Sequence, residues 1–90
     1  MRTLKDNELV LMDKLSTLVK EESYKQIHKW GVHEHTPFEW LTFTTEELGE
    51  LANAISEREY RHGTTYDVVK EAIQTATLCL KIAEMYIVHE

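Results

Sequence analysis

Apolar side chains recur along the chain at intervals of three and four residues rather than two, the spacing of helices packed on one face. Leu11, Leu15 and Leu18, followed by Tyr24, Ile27 and Trp30, predict a first amphipathic helix from about Asp6 to Trp30, bent near Lys20 to Ser23. Thr36-Pro37-Phe38-Glu39 combines an N-cap threonine, a proline at the first helical position and a glutamate three residues past the cap. That capping box starts a second helix at Pro37. Leu41, Leu48, Leu51, Ala52 and Ile55 are its apolar stripe, and His62-Gly63 ends it near Arg61. A third helix begins between Thr64 and Asp67 and continues through Val68, Val69, Ile73, Ala76, Leu80, Ala83 and Ile87 towards the C-terminus. Thr77, Lys81 and Glu84 give it one narrow polar strip, so nearly all of its circumference asks for cover. Three helices of one chain do not supply that cover, and the pattern predicts an all-α long-helix bundle whose four-helix-like core is completed by oligomerisation.

The chain has 90 residues, one domain's worth, and is read as a single helical domain over 1–90. With 42% hydrophobic and 29% charged residues it lies outside the composition of disordered chains. A net charge of −6 is the wrong sign for a nucleic-acid polymer or an anionic membrane, although carboxylates that repel phosphate will hold a divalent cation that binds it. Cys79 is the only cysteine, which fits a reducing compartment and a small core residue. No apolar run of about 18 residues occurs, and Asp6, Glu8 and Asp13 break the pattern of a signal peptide. The expected location is cytoplasmic.

Candidate chemistry appears where acids interrupt apolar faces. At roughly 100° per residue, Phe43, Glu47, Glu50 and Ala54 share a strip of the second helix. Glu71 and Gln74 fall on a face of the third helix otherwise made of Leu78, Ile82 and Met85. A desolvated carboxylate needs a counter-charge, a proton or a metal. Two such pairs, Glu47-x-x-Glu50 and Glu71-x-x-Gln74, offer hard oxygen ligands to Mg²⁺ or Mn²⁺. The same spacing also describes a solvated helical face, with Lys70 or Lys81 as ion-pair partners of Glu71. Trp30, His35, Phe38 and Trp40, with Gln26 and Lys29, form an aromatic and polar cluster that suits either a base-stacking pocket or core packing. His33 and His35 alternate in a loop without a cysteine, a weak zinc pattern.

These residues also carry a family resemblance. Gln26, Lys29-Trp30-Gly31, the run His35-Thr36-Pro37-Phe38-Glu39-Trp40-Leu41, the run Thr45-Glu46-Glu47-Leu48-Gly49-Glu50-Leu51 and the run Glu71-Ala72-Ile73-Gln74-Thr75-Ala76 stand in this order. Over roughly two-thirds of its length the chain resembles the MazG-like all-α nucleoside triphosphate pyrophosphohydrolases, most closely the short forms of phage and mobile elements. The resemblance implies a Mg²⁺-dependent enzyme, Mn²⁺ being an alternative, that cleaves a nucleoside triphosphate to the monophosphate and pyrophosphate. It implies Glu47, Glu50, Glu71 and Gln74 as metal ligands, with Glu46 as a further ligand or the group that orients the attacking water, so that Glu46 and Glu47 are the catalytic pair. Gln26, Lys29, Trp30 and His35 fall in the region that closes over the nucleotide. Arg58, Arg61 and Lys70 are either further phosphate contacts or solvated surface charges. Gln74 replaces the family's usual aspartate and removes one negative charge. Longer relatives add a helix and a basic, phosphate-binding tail, a role that here falls to a partner subunit. The resemblance implies a homodimer or homotetramer. A catalytically silent helical module that binds nucleotide or protein is the alternative from another class.

Overall fold

The computed structural model describes residues 12–30 and 35–88, and among them every regular element is helical: α1 (Met12–Trp30), α2 (Pro37–Tyr60) and α3 (Thr65–Val88). Asp6 to Leu11, and with them the expected start of the first helix, lie outside the described residues, as does His33. The helix is unbroken through Lys20 to Ser23.

The ends of α2 follow from its capping residues. Thr36 Oγ1 accepts from the Glu39 backbone N–H at 3.1 Å, and Glu39 Oε1 accepts from the Thr36 N–H at 3.0 Å, with Pro37 at the first helical position. Those bonds, the Thr36 backbone first and the nearby His35 second, hold the Glu39 carboxyl below its usual range. At the other end the Arg61 and Gly63 N–H groups both donate to the Glu57 carbonyl at 3.0 Å. A Cβ at Gly63 would sit 2.8 Å from the backbone of Glu57 and Arg58, so a side chain cannot be added there without moving the turn. Thr64 caps α3 by accepting from the Asp67 N–H at 3.0 Å.

Helix α3 packs against both others, while α1 and α2 meet through the aromatic side chains of Trp30, Trp40 and Phe43. The packed face of α3 is the one that holds Glu71, Gln74, Leu78, Ile82 and Met85, as the wheel predicts, with Leu78 fully buried. Leu78 is the one buried hydrophobic side chain among the described residues. The rest of the buried set is polar: Gln26, Thr44, Thr75 and Thr77. Each threonine can afford burial because its hydroxyl donates to the carbonyl four residues back, at 2.8, 2.8 and 2.7 Å respectively.

Three sequence expectations are corrected by this arrangement. Of the polar strip Thr77, Lys81 and Glu84, only Glu84 is exposed: Thr77 is 1% exposed, and Lys81 lies half-buried with its Nζ donating to Ser23 Oγ on α1 at 2.8 Å. Burial pushes the Lys81 ammonium below its ordinary pKa. Conversely, Leu41, Leu48, Ala52 and Ile55 of the expected α2 stripe are exposed in the single chain, Leu48 at 54%; Val69, Ala76, Leu80, Ala83 and Ile87 on α3 are exposed too, Leu80 at 52%, in line with the expectation that three helices of one chain leave α3 short of cover. Only Leu51 of the expected α2 stripe turns towards the packed side. Cys79 is exposed rather than a core residue, one step round the helix from Leu78. No helix among the described residues is long and apolar enough to cross a membrane.

Candidate metal centre

Between the three helices lies a cavity of about 280 Å³. Helix α1 lines it with Glu22, Lys25, Gln26, Lys29 and Trp30, spaced so that they fall on one helical face. Helix α2 adds Glu47 and Glu50, one turn apart, and α3 adds Lys70, Glu71 and Gln74. Glu47, Glu50 and Glu71 each present a carboxylate oxygen within 4.8 Å of the others. The Glu71 side chain is only 14% exposed, and Lys70 approaches it at 3.9 Å.

Packing three acids this closely disfavours their all-ionised form. The Glu47 carboxyl is pushed up to about 7, first by burial, then by sharing a hydrogen bond with Glu71 and by the charges of Glu50 and Glu71. Gln74 relieves part of the crowding. In the orientation that satisfies its neighbours, its amide nitrogen donates to Glu71 Oε2 at 2.9 Å and to Glu47 Oε2 at 2.8 Å. Gln26, 3% exposed, ties α1 to this point by donating from Nε2 to the Gln74 carbonyl at 3.3 Å, which leaves its Oε1 buried without a partner.

The donor set consists of oxygens alone, the preference of Mg²⁺ and Mn²⁺ rather than of thiolate- or imidazole-seeking metals. The residues thus fit a hard divalent cation held by Glu47, Glu50 and Glu71. A cation there would satisfy carboxylates that otherwise need a proton or the Gln74 amide.

The structure brings together Glu47, Glu50, Glu71 and Gln74, with Gln26, Lys29 and Trp30 on the same cavity wall. It does not bring Glu46 or His35 there. Glu46 is exposed and lies outside both the carboxylate group and the cavity lining. His35 belongs to the aromatic cluster, edge-on to Trp40 at 5.0 Å and to Phe43 at 5.4 Å, with Nδ1 3.4 Å from Glu39. Within that cluster Trp30 stacks on Phe43 at 5.3 Å and 16°, and Lys29 Nζ lies 5.0 Å from the Trp30 ring centre. These rings pack on one another, the core-packing alternative, and one face of Trp30 is already covered. Arg58 donates to Thr65 and Arg61 pairs with Glu57, both away from the cavity.

Sequence reasoning passed over Glu22 and Lys25. Their signal was present in the i, i+3, i+4, i+7, i+8 register of Glu22, Lys25, Gln26, Lys29 and Trp30, which places all five on one face. Comparison of the chain with family models, with curated proteins and with solved structures gives no match in any of the three.

Proposed function

We propose that the chain is a Mg²⁺-dependent nucleoside triphosphate pyrophosphohydrolase of the MazG-like helical type, acting in the cytoplasm as a homodimer or homotetramer. The observation that carries this reading is one cavity with two kinds of wall, a three-carboxylate group that suits a hard cation and lysines that suit the anion bound to it. The exposed apolar stripes of α2 and α3 support assembly, because a second copy laid against them completes a bundle.

In the proposed reaction, water attacks the α-phosphorus in line, a new P–O bond forms, the bond to the bridging oxygen of the β-phosphate breaks to give the monophosphate and pyrophosphate, and the proton lost by the water passes to solvent. Bound Mg²⁺ supplies charge neutralisation and an acidified water. Glu47, Glu50 and Glu71 fix the cation's place on two helices packed against each other. Gln74 holds the Glu47 and Glu71 carboxylates in register, and Gln26 anchors that turn of α3 to α1. Glu46, which lies off the cavity, is left out of the proposed machinery.

The test is pyrophosphate release from a panel of canonical and modified nucleoside triphosphates with Mg²⁺ and with Mn²⁺. Cation-dependent release that Glu47→Gln and Glu71→Gln both abolish is the expected result. A second reading, a catalytically silent module that binds nucleotide or protein, is favoured by one feature: in the orientation that satisfies its neighbours, a neutral Gln74 amide donates to two of the carboxylates, where a further acid would have given the cation another charged ligand. Nucleotide binding with no turnover of any triphosphate would select it.

A further inference from the structure

Helix α3 carries its uncovered apolar residues in one unbroken seam. Val69, Ile73, Ala76, Leu80, Ala83 and Ile87 alternate steps of four and three residues, so they stay on one line for about 27 Å of helix. The seam lies on the side of α3 opposite the packed face that holds Glu71, Leu78 and Met85. Its first turn borders α1, where Leu18 shares a cavity of about 130 Å³ with Val69 and the half-buried Ile73. From Ala76 to Ile87 every seam residue is exposed.

The sizes of these side chains fix how a second copy can meet them. Ile73, Leu80 and Ile87 occupy one heptad position, and the smaller Val69, Ala76 and Ala83 occupy the other. Two copies laid parallel would set large against large and alanine against alanine, which leaves voids at alternate layers. Laid antiparallel, Ile73 meets the partner's Ala83, Leu80 meets the partner's Ala76 and Ile87 meets the partner's Val69, so every layer has one larger and one smaller side chain. The charged flank agrees with this direction. Antiparallel pairing sets Lys70 beside the partner's Glu84, and two-fold symmetry repeats the pair at the other end, whereas parallel pairing brings no opposite charges together. Glu84 is exposed, and the Lys70 side chain is 47% exposed with Glu71 of its own chain 3.9 Å away. The α2 stripe has no such flank, being bordered by Thr42, Gly49 and Ser56 on one edge and by Thr44, Leu51 and Arg58 on the other.

We propose that two copies of this chain join through α3 packed antiparallel on α3, with Lys70 and the partner's Glu84 closing each end of the seam. The two-fold axis falls between Ala76 and Leu80, so Cys79, exposed on the opposite edge of the seam, stands beside the partner's Cys79. The carboxylate cavity lies on the other side of α3 and stays free in both copies. This inference rests on the assembly proposed above and is independent of the chemistry proposed with it.

Size-exclusion chromatography with light scattering, combined with a short bismaleimide that joins cysteines, tests it on the full chain. The expected result is a dimer or a multiple of it, crosslinked into a covalent pair through Cys79, the only cysteine, and not after Cys79→Ser. Leu80→Glu, with helix content unchanged by circular dichroism, should abolish the crosslink, and Leu48→Glu on α2 should leave it in place. Glu84→Lys should raise the dissociation constant about tenfold, the scale of two surface ion pairs turned into like-charge contacts, and adding Lys70→Glu should restore it. An oligomer that Cys79 does not crosslink, or a double variant no tighter than Glu84→Lys alone, overturns the α3 pairing and leaves the wider assembly standing. A chain that is monomeric at micromolar concentration overturns both.

Discussion

The two faces of the α2–α3 pair differ in the opposite sense to an ordinary globular domain. Their inner side carries Glu47, Glu71, Gln74, Thr44, Thr75 and Thr77, all buried or half-buried, whereas their outer sides carry Leu41, Leu48, Ile55, Leu80 and Ile87, all exposed. Leu78, fully buried, and the half-buried Phe43, Leu51, Ile82 and Met85 lie among the inner groups, so the inner side carries apolar contact as well as polar groups. It does hold polar groups at fixed separations, Glu47, Glu50 and Glu71 within 4.8 Å of one another. The outer face carries the hydrophobic area that the single chain leaves uncovered, in stripes with heptad spacing such as Leu41, Leu48 and Ile55. The difference teaches that the polar cluster and the uncovered apolar area lie on different sides of the pair, so under the proposed function assembly would add stability on one side and leave the cavity on the other.

If that division is right, the largest effect comes from charging the outer face. Leu48→Glu combined with Leu80→Glu should convert an oligomer to a monomer in size-exclusion chromatography with light scattering and lower the melting temperature sharply. A wild-type chain already monomeric at micromolar concentration would break the comparison. On the inner side, Gln74→Glu should have two opposed consequences. A fourth carboxylate replaces the bridging amide, so the cation-free protein loses stability by about 1–3 kcal/mol, the range for unsatisfied or repelled buried groups. Mg²⁺ then restores more stability than in the wild type, measurable as a larger melting-temperature rise on adding the cation.

The pH response sharpens the same point. The Glu47 carboxyl is raised from 4.5 to about 7, so between those values the folded chain keeps a proton that the unfolded chain has released. Stability without cation should fall as pH rises through that window and level off above it. Binding of a divalent cation needs the carboxylate, so the stabilisation that Mg²⁺ adds should grow over the same rise, with proton release on binding below about pH 7 seen by titration in buffers of different ionisation enthalpy. The smallest expected effect concerns neither face: Thr36→Ala removes the N-cap of α2 and should cost about 1 kcal/mol in chemical denaturation without changing cation affinity.

The start and stop of α2 were legible because capping is local chemistry: Thr36, Pro37, Glu39 and Gly63 announce their roles within four residues of sequence. The carboxylate group was legible because acids at i, i+3 on otherwise apolar strips stand out, and Glu47, Glu50, Glu71 and Gln74 do meet. Which apolar stripe faces inward was not legible. A helical wheel ranks faces by hydrophobicity, but Thr77 tolerates full burial by bonding its own backbone, and Lys81 by reaching Ser23, so polarity at those positions did not mark the surface. Nor does periodicity distinguish a stripe that covers its own chain from one that awaits another copy. His35 was placed near the nucleotide by a motif in sequence, whereas in three dimensions it packs edge-on against Trp40 and Phe43.

Cation binding at the inner polar face is the property on which the proposed chemistry depends. Mn²⁺ titrated into cation-free protein, with and without a non-hydrolysable triphosphate and followed by electron paramagnetic resonance, reads that directly in the wild type and in Glu71→Gln. Saturable binding that the triphosphate strengthens and Glu71→Gln removes is the predicted result. Binding that Glu71→Gln leaves intact, or no binding even with the triphosphate present, would contradict the assignment of Glu47, Glu50 and Glu71 as a metal centre.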